Sequence, residues 1–416
     1  MRKSFLIPLL PILVLSLLGA RRRATPPPEA PTFDNEIVRI FQQNCQTCHH
    51  PGDIAPFSLM TYPDSVAYAD SIKYMTQTRQ MPPWKAAQGC GDFVGVRTLS
   101  QHDIDLIARW VDSGAPEGNA ADLPPAKSFD SGWSAGTPDL VLAMPKPFTP
   151  PADRDEYRCF SIPVQTSGDV QLSMLDFRPG DRGTVHHIIP YLDTTGASAK
   201  LDPNGNGYEC FGGSLLDSAT PMGGWSSGAR PTPLPEGTAL RIPKGSRVIM
   251  QVHYHPHFGR VAPDQTQIGI YAATGTISKQ MHYNFIFNDN FVIPAGAADT
   301  RVDAFGRTGI DIEIVSIYPH MHLLGSSMKI EAQMPGAASQ CMIEVPQYDF
   351  NWQGQYVYRT PFAIPSGGSI HVEAHFDNST DNPRNPSSPP RDVRWGEATT
   401  DEMCVAMIGY TQANGQ

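Results

Sequence analysis

Apolar positions recur at two different periods along this chain, and the change of period divides it. Phe33, Ile37, Ile40 and Phe41 fall at helical spacing and predict a helix ending just ahead of Cys45. A second helix is predicted after Ser100. Ser100 with Asp103 resembles a capping box, Ile104, Ile107 and Val111 give one face, and Gly114 before Pro116 supplies the stop. These helices bracket a small domain, read as all-α, at 32–118. A polar connection rich in Ala, Pro and Gly follows at 119–137, and beyond it the period shortens to two. Strands are expected at Val170–Phe177, Arg247–Tyr254, Gly309–Tyr318 and Ser369–Phe376, set apart by turn residues. No long helix is predicted after Pro138. The stretch is too long for one sandwich, so two all-β antiparallel sandwiches are expected, 138–295 and 296–416, divided at the soft stretch Ala295–Arg301. The expected fold class is therefore mixed and multidomain.

Composition agrees with that division. The chain has 416 residues, 40% hydrophobic and 17% charged, which predicts a mostly folded protein of more than one domain. Its 36 Gly and 40 Pro favour strands and turns over helix. A net charge of -10 argues against nucleic acid or an anionic membrane surface as partner, and suits a basic redox protein as donor. At the N-terminus, Arg2 and Lys3 precede an apolar run from Phe5 to Ala20 that is shorter than a spanning helix of ~20 residues and is broken by Pro8 and Pro11. Residues 1–23 read as an export signal, which implies a periplasmic location. An uncleaved membrane anchor is the alternative, because Arg21, Arg22 and Arg23 follow the run directly. Residues 24–31, ATPPPEAP, read as a stiff linker.

Cys45-Gln46-Thr47-Cys48-His49 is the attachment signature of a c-type haem: two thiols add to the porphyrin vinyls and the adjacent His reaches the iron. Met81, in Gln80-Met81-Pro82-Pro83-Trp84, is the candidate opposite ligand, with Met60 and Met75 as competitors. A thioether there raises the reduction potential, which suits electron transfer. The stretch resembles the c-type cytochrome family through to Trp110-Val111-Asp112-Ser113-Gly114-Ala115-Pro116.

Three histidine groups lie in the β region: His186-His187, His253-Tyr254-His255 and His320-Met321-His322. One such pair on a strand is more often structural than functional, but three in one exported β region point to a metal. Alternation puts Val248, Met250 and Val252 on one face and Arg247, Gln251 and His253 on the other, so His253 should leave its sheet's apolar core. Pro319 is expected to break the register before the last pair.

The order Val185-His186-His187, Gln251-Val252-His253-Tyr254, Pro319-His320-Met321-His322 and Asp401-Glu402-Met403-Cys404 resembles the type II, ascorbate-dependent copper monooxygenases, the family of the peptidylglycine α-hydroxylating and dopamine β-monooxygenases. The resemblance covers roughly Pro138 to the C-terminus. It implies jelly-roll-like sandwiches facing each other across an open cleft, with one copper on each. His186, His187 and His253 would hold an electron-storing copper. His320, His322 and Met403 would hold the catalytic copper that binds O2, where a soft thioether favours Cu(I). His255, His257 and His375 match no family ligand.

Departures narrow the chemistry. The peptide-amidating branch grips a terminal carboxylate with an Arg two residues before the His-x-His pair and with polar residues after the Met. Here Tyr318, Val405 and Met407 stand at those positions, so peptide amidation is disfavoured and a small substrate with an activated C–H bond is left open. Of seven cysteines, five remain after the haem pair; Cys159–Cys210 and Cys341–Cys404 are the economical pairings, with Cys90 left as a buried thiol. The second stays open, because the family's usual partner for the Cys after the ligand Met is replaced, with Ala374 near that position. The resulting expectation is a copper monooxygenase acting on O2 and a small molecule, with haem c, two copper ions, and ascorbate or a redox protein as external reductant. The haem would feed the His186/His187/His253 copper. The alternative is a haem and copper electron-transfer protein without hydroxylase activity.

Overall fold

A computed structural model describes residues 30–414 except 52, 54, 130, 131, 227 and 256–260. The expected export segment and most of the 24–31 linker lie outside the described residues, as does His257. No helix among those described is long and apolar enough to cross a membrane.

Strands make up 35% of the chain and helices 13%, and this overturns the expected all-α cytochrome c domain at 32–118. What forms there is a short helical cluster: a π-turn Phe33–Ile37, then α1 (Val38–Asn44), α2 (Tyr62–Val66), α3 (Ala69–Gln77) and α4 (Gln101–Asp112). Phe33, Ile37, Phe41, Ile107 and Trp110 close a small core among them. The Ser100 hydroxyl accepts from the Asp103 N–H and caps α4. Between α3 and α4 the chain leaves this cluster. Pro82 and Pro83 forbid helix, and the following residues instead join the β region: Ala86 and Phe93 are buried in the C-terminal core. The Ala87 N–H donates to Glu344 O (2.8 Å) and the Val94 N–H to Val357 O (2.9 Å). Cys90 is disulfide-bonded to Cys341. The helical segment is thus laced into the β structure and is not a self-standing domain.

Among the described residues the β region holds fifteen strands of four or more residues. The first seven are β1 (Leu140–Ala143), β2 (Glu156–Pro163), β3 (Val170–Arg178), β4 (Val185–Asp193), β5 (Thr238–Ile242), β6 (Arg247–Tyr254) and β7 (Gln267–Ala272). The next eight are β8 (Lys279–Asn288), β9 (Thr300–Arg307), β10 (Ile312–His320), β11 (Gly325–Gln333), β12 (Gln340–Val345), β13 (Tyr356–Ile364), β14 (Ser369–Phe376) and β15 (Cys404–Gln412). β6 and β14 span the ranges that alternation predicts. After Pro138 the only helical pieces among the described residues are short 3-10 turns.

The strands stack in sandwich-like layers. One sheet, centred on β2-β6-β4, packs over β1-β7-β3-β5; the other, β9-β14-β11-β12, packs over β8-β15-β10-β13. A short parallel pairing of β5 with β8 joins the last-named layers of each half into one eight-stranded sheet. β8, which precedes the expected division at 295, pairs along its length with β15. β10 continues through Pro319 to His320; its irregularity falls earlier, between Ile314 and Ser316, so Pro319 does not break the register.

The cysteines pair as Cys159–Cys210 and Cys90–Cys341. Cys404 is a buried thiol. The expected Cys341–Cys404 bond is absent because Cys341 lies on β12, at the outer edge of its sheet, where it meets Cys90. Cys404 starts β15 in the other layer, with its Sγ near Val302 O.

Candidate metal centre

His187 on β4 lies opposite His253 on β6. Consecutive strand residues normally face opposite sides, but a register shift between Val185 and His187 re-aims the chain, so His186 and His187 both turn toward His253. All three are buried. Their Nδ1 atoms converge: His187 Nδ1 is 3.2 Å from His186 Nδ1 and 3.3 Å from His253 Nδ1. Each neutral ring can offer a lone pair, so three ring nitrogens aimed at one another form a donor set that one cation at their focus would satisfy. Burial pushes the His187 and His253 rings toward the neutral form, and the neighbouring imidazoles push His187 further.

The shell around this cluster is built. Tyr157 on β2 stacks on His253 (centroids 4.2 Å apart). Asp155 places Oδ2 3.3 Å from His253 Nε2 and Oδ1 2.6 Å from His255 Nδ1, and accepts from Thr399 Oγ1 at 3.1 Å. A carboxylate behind a ligating imidazole fixes its tautomer and raises its basicity.

His320 and His322 form the second group, with ring centroids 5.1 Å apart. Here the Nδ1 atoms face away: His320 Nδ1 donates to Gln353 Oε1 at 2.5 Å and His322 Nδ1 to Asp401 O at 3.2 Å. Each bond fixes a tautomer and leaves Nε2 as the lone-pair nitrogen. Burial lowers His320 to about 4 and His322 to about 3. Met403 lines the same cavity as both rings. The Glu402 carboxyl ties the two segments together, accepting from the N–H groups of His322 (2.9 Å), Leu324 (2.6 Å) and Met403 (3.3 Å).

The resemblance implies an open cleft between the two groups, and the structure differs. Phe350, on a 3-10 turn between β12 and β13, stacks on His186 at 4.9 Å and meets His322 edge-on at 6.0 Å. Gln353 at the end of that turn holds His320, and its carbonyl accepts from the Ser226 hydroxyl; Ser226 is the backbone partner of His187. One turn therefore touches both groups. Beside them lies a cavity of about 300 Å³ lined by His187, His320, His322 and Met403.

Sequence reasoning missed Asp155, Tyr157, Phe350 and Gln353, and quoted Glu402 without a role. Strand alternation gives Asp155 and Tyr157 the side of Cys159, a weak signal; the turn at 350–353 carried none.

At the N-terminal motif, Cys45 and Cys48 are thiols while four other cysteines are bonded. His49 Nδ1 sits 3.1 Å from Phe57 O, which leaves Nε2 available. Met81 follows α3, its N–H bonded to Met75 O, and the chain then runs to Trp84, which packs on Phe93 and Tyr356. Three arginines of surrounding loops reach this motif: Arg230 bonds Thr47, Arg182 pairs with Asp53, and Arg97 bonds Gly228 O beside Cys48.

Comparison with known proteins matches residues 281–415 to the model described as "Copper type II ascorbate-dependent monooxygenase, C-terminal domain". A stretch of 127 residues is 32% identical to peptidyl-glycine alpha-amidating monooxygenase A of Xenopus laevis, covering 29% of this chain and 13% of that protein. Another of 120 residues is 30% identical to the Rattus norvegicus peptidylglycine alpha-amidating monooxygenase, covering 28% and 12%. The chain thus spans only about an eighth of these relatives' length. Among solved structures, the major capsid protein P2 of bacteriophage PM2 aligns over 67% of this chain and 99% of its own, at 10% identity and TM-score 0.28, too low to carry an argument. The monooxygenase-like oxidoreductase character read from the sequence is shared, in its C-terminal third, with the copper type II ascorbate-dependent monooxygenase C-terminal domain.

Proposed function

We propose that this chain is an exported copper monooxygenase that inserts one oxygen atom of O2 into a C–H bond of a small substrate. His186, His187 and His253 would hold one copper through Nδ1, and His320, His322 and Met403 the other through Nε2 and sulfur. The observation that carries the reading is the pairing of donor sets. An all-imidazole focus and an imidazole pair beside a thioether border one cavity. When bound, copper supplies one-electron steps and a site for O2, with the thioether favouring Cu(I).

The chain's own groups orient and exclude. Gln353 and the Asp401 carbonyl keep the His320 and His322 Nε2 atoms turned inward; Asp155 does the equivalent for His253. Phe350 fills the space between the groups and keeps water from it. The reaction consumes substrate, O2, two electrons and two protons, and yields the hydroxylated product and water. We assign the electrons to a haem c bound to Cys45 and Cys48 with His49 and Met81 as ligands, or to an external reductant such as ascorbate or a redox protein. Two observations support the haem: Cys45 and Cys48 are both thiols in a chain whose Cys90, Cys159, Cys210 and Cys341 are bonded, and the Phe57 carbonyl leaves His49 Nε2 free. The two disulfides fit export to an oxidising compartment, for which we propose the periplasm.

Titration should show two coppers per chain with distinct spectra, and reductant-driven oxygen uptake should transfer one ¹⁸O atom to product. Copper binding at fewer than two sites, or uptake that releases only peroxide with every substrate offered, would refute the reading. Loss of Cys45 and Cys48 by double Ala substitution should remove the haem absorbance.

A further inference from the structure

The cavity beside His320, His322 and Met403 carries one charged group that the chemistry above does not use. Glu397 stands on its wall, half-buried, and among the described residues no hydrogen bond or ion pair reaches its carboxyl. Burial alone acts on it, raising it above the usual carboxylate range. Its carboxyl approaches bare backbone: a side chain at Gly212, whose φ of +89° suits glycine, would meet Glu397 at 3.5 Å. Tyr157, Tyr191 and Gln251 add polar groups to the wall, and much of the remainder is apolar. Phe285, Phe287, Trp395, Val405 and Met407 line it, with Phe287 and Trp395 ring to ring at 5.7 Å. Among the described residues no Lys or Arg lines it.

A half-buried carboxylate keeps only part of its hydration, so a ligand head that donates to it gains a charge-assisted hydrogen bond. The wall around it would hold a ring or short aliphatic body, and at about 300 Å³ the space suits a small one. We infer that Glu397 is the specificity-determining residue of this cavity: it selects an apolar substrate that carries a hydrogen-bond-donating or cationic head, and it rejects carboxylates. The assignment rests on the copper monooxygenase reading for its chemistry, but the binding can be measured without it.

Four probes share one body: toluene, benzyl alcohol, benzylamine and benzoate. Calorimetry on the full chain, with and without copper, should rank benzylamine tightest, then benzyl alcohol, then toluene, with benzoate weakest. Glu397→Leu should weaken benzylamine by at least about tenfold and leave toluene unchanged, the size expected for one buried charge-assisted bond. Glu397→Gln should keep benzyl alcohol and lose the preference for benzylamine, which separates a neutral donor head from a cationic one. Matching copper titrations and circular dichroism in the variants guard against a folding defect. Tightest binding of benzoate, or benzylamine affinity indifferent to Glu397→Leu, overturns the assignment. Glu397-dependent selectivity in a chain that takes up no copper sinks the monooxygenase reading and leaves this one standing. Two coppers with no such selectivity do the reverse.

Discussion

Cys90–Cys341 joins positions 251 residues apart, and removing it should be felt mainly in the unfolded chain. The chain-entropy relation for a closed loop of that length gives about 5.5 kcal/mol at 25 °C. The Cys159–Cys210 bond shortcuts 51 of those residues, but the dependence is logarithmic, so the correction is only about 0.2 kcal/mol. Native contacts remain without the bond: Phe93 stays in the C-terminal core, and the Ala87 and Val94 amides keep their acceptors on Glu344 and Val357. The double variant Cys90→Ala, Cys341→Ala should therefore fold and bind copper, yet lose up to about 5 kcal/mol. A chain of this size need not unfold in one step, so hydrogen exchange at Ala87 and Val94 is the direct assay. Their protection should fall together with the urea midpoint of the C-terminal β layers. A loss below about 1 kcal/mol would refute the reasoning, as would a peptide map joining Cys341 to Cys404.

Asp155→Asn removes the carboxylate behind His253 at constant size; copper should bind the nitrogen site about 10–100-fold more weakly, with the His320/His322 site unchanged on titration. Gln353→Leu should do the opposite, weakening the His320 site by a similar factor while the His186 site holds. Burial raises Glu402 to about 8 against three N–H donors, from an ordinary value of 4.5. Between those values the folded chain holds a proton that the unfolded chain releases. This contribution to apoprotein stability is thus fully present below about 4.5 and lost as pH rises through about 8. Glu402→Gln should flatten that slope, of the order of a few kcal/mol, in urea midpoints measured across pH 5 to 8.5; an unchanged slope in the variant would assign it to another group.

Local pattern disclosed what local physics decides. The span of β6 follows from Val248, Met250 and Val252 facing one core, and the start of α4 follows from a hydroxyl one turn before its first free amides. The histidine groups were visible because each is close in sequence. How consecutive residues such as His186 and His187 come to serve one focus was not. It takes a bulge, which no glycine or proline announces there, and which the pairing of β4 with β6 imposes. The all-α expectation failed for a related reason. Residues 82–97 carry Pro and Gly signals that say only "not helix"; what they become depends on Phe93, which finds a larger apolar surface among Tyr356, Tyr358 and Met342 than among the short helices. Each of these outcomes is set by a partner far along the chain, and so is the cavity chemistry. Glu397 has no neighbour in sequence to mark it, and its meaning comes from the folded wall, which sets it among apolar side chains with no Lys or Arg of the described residues beside it.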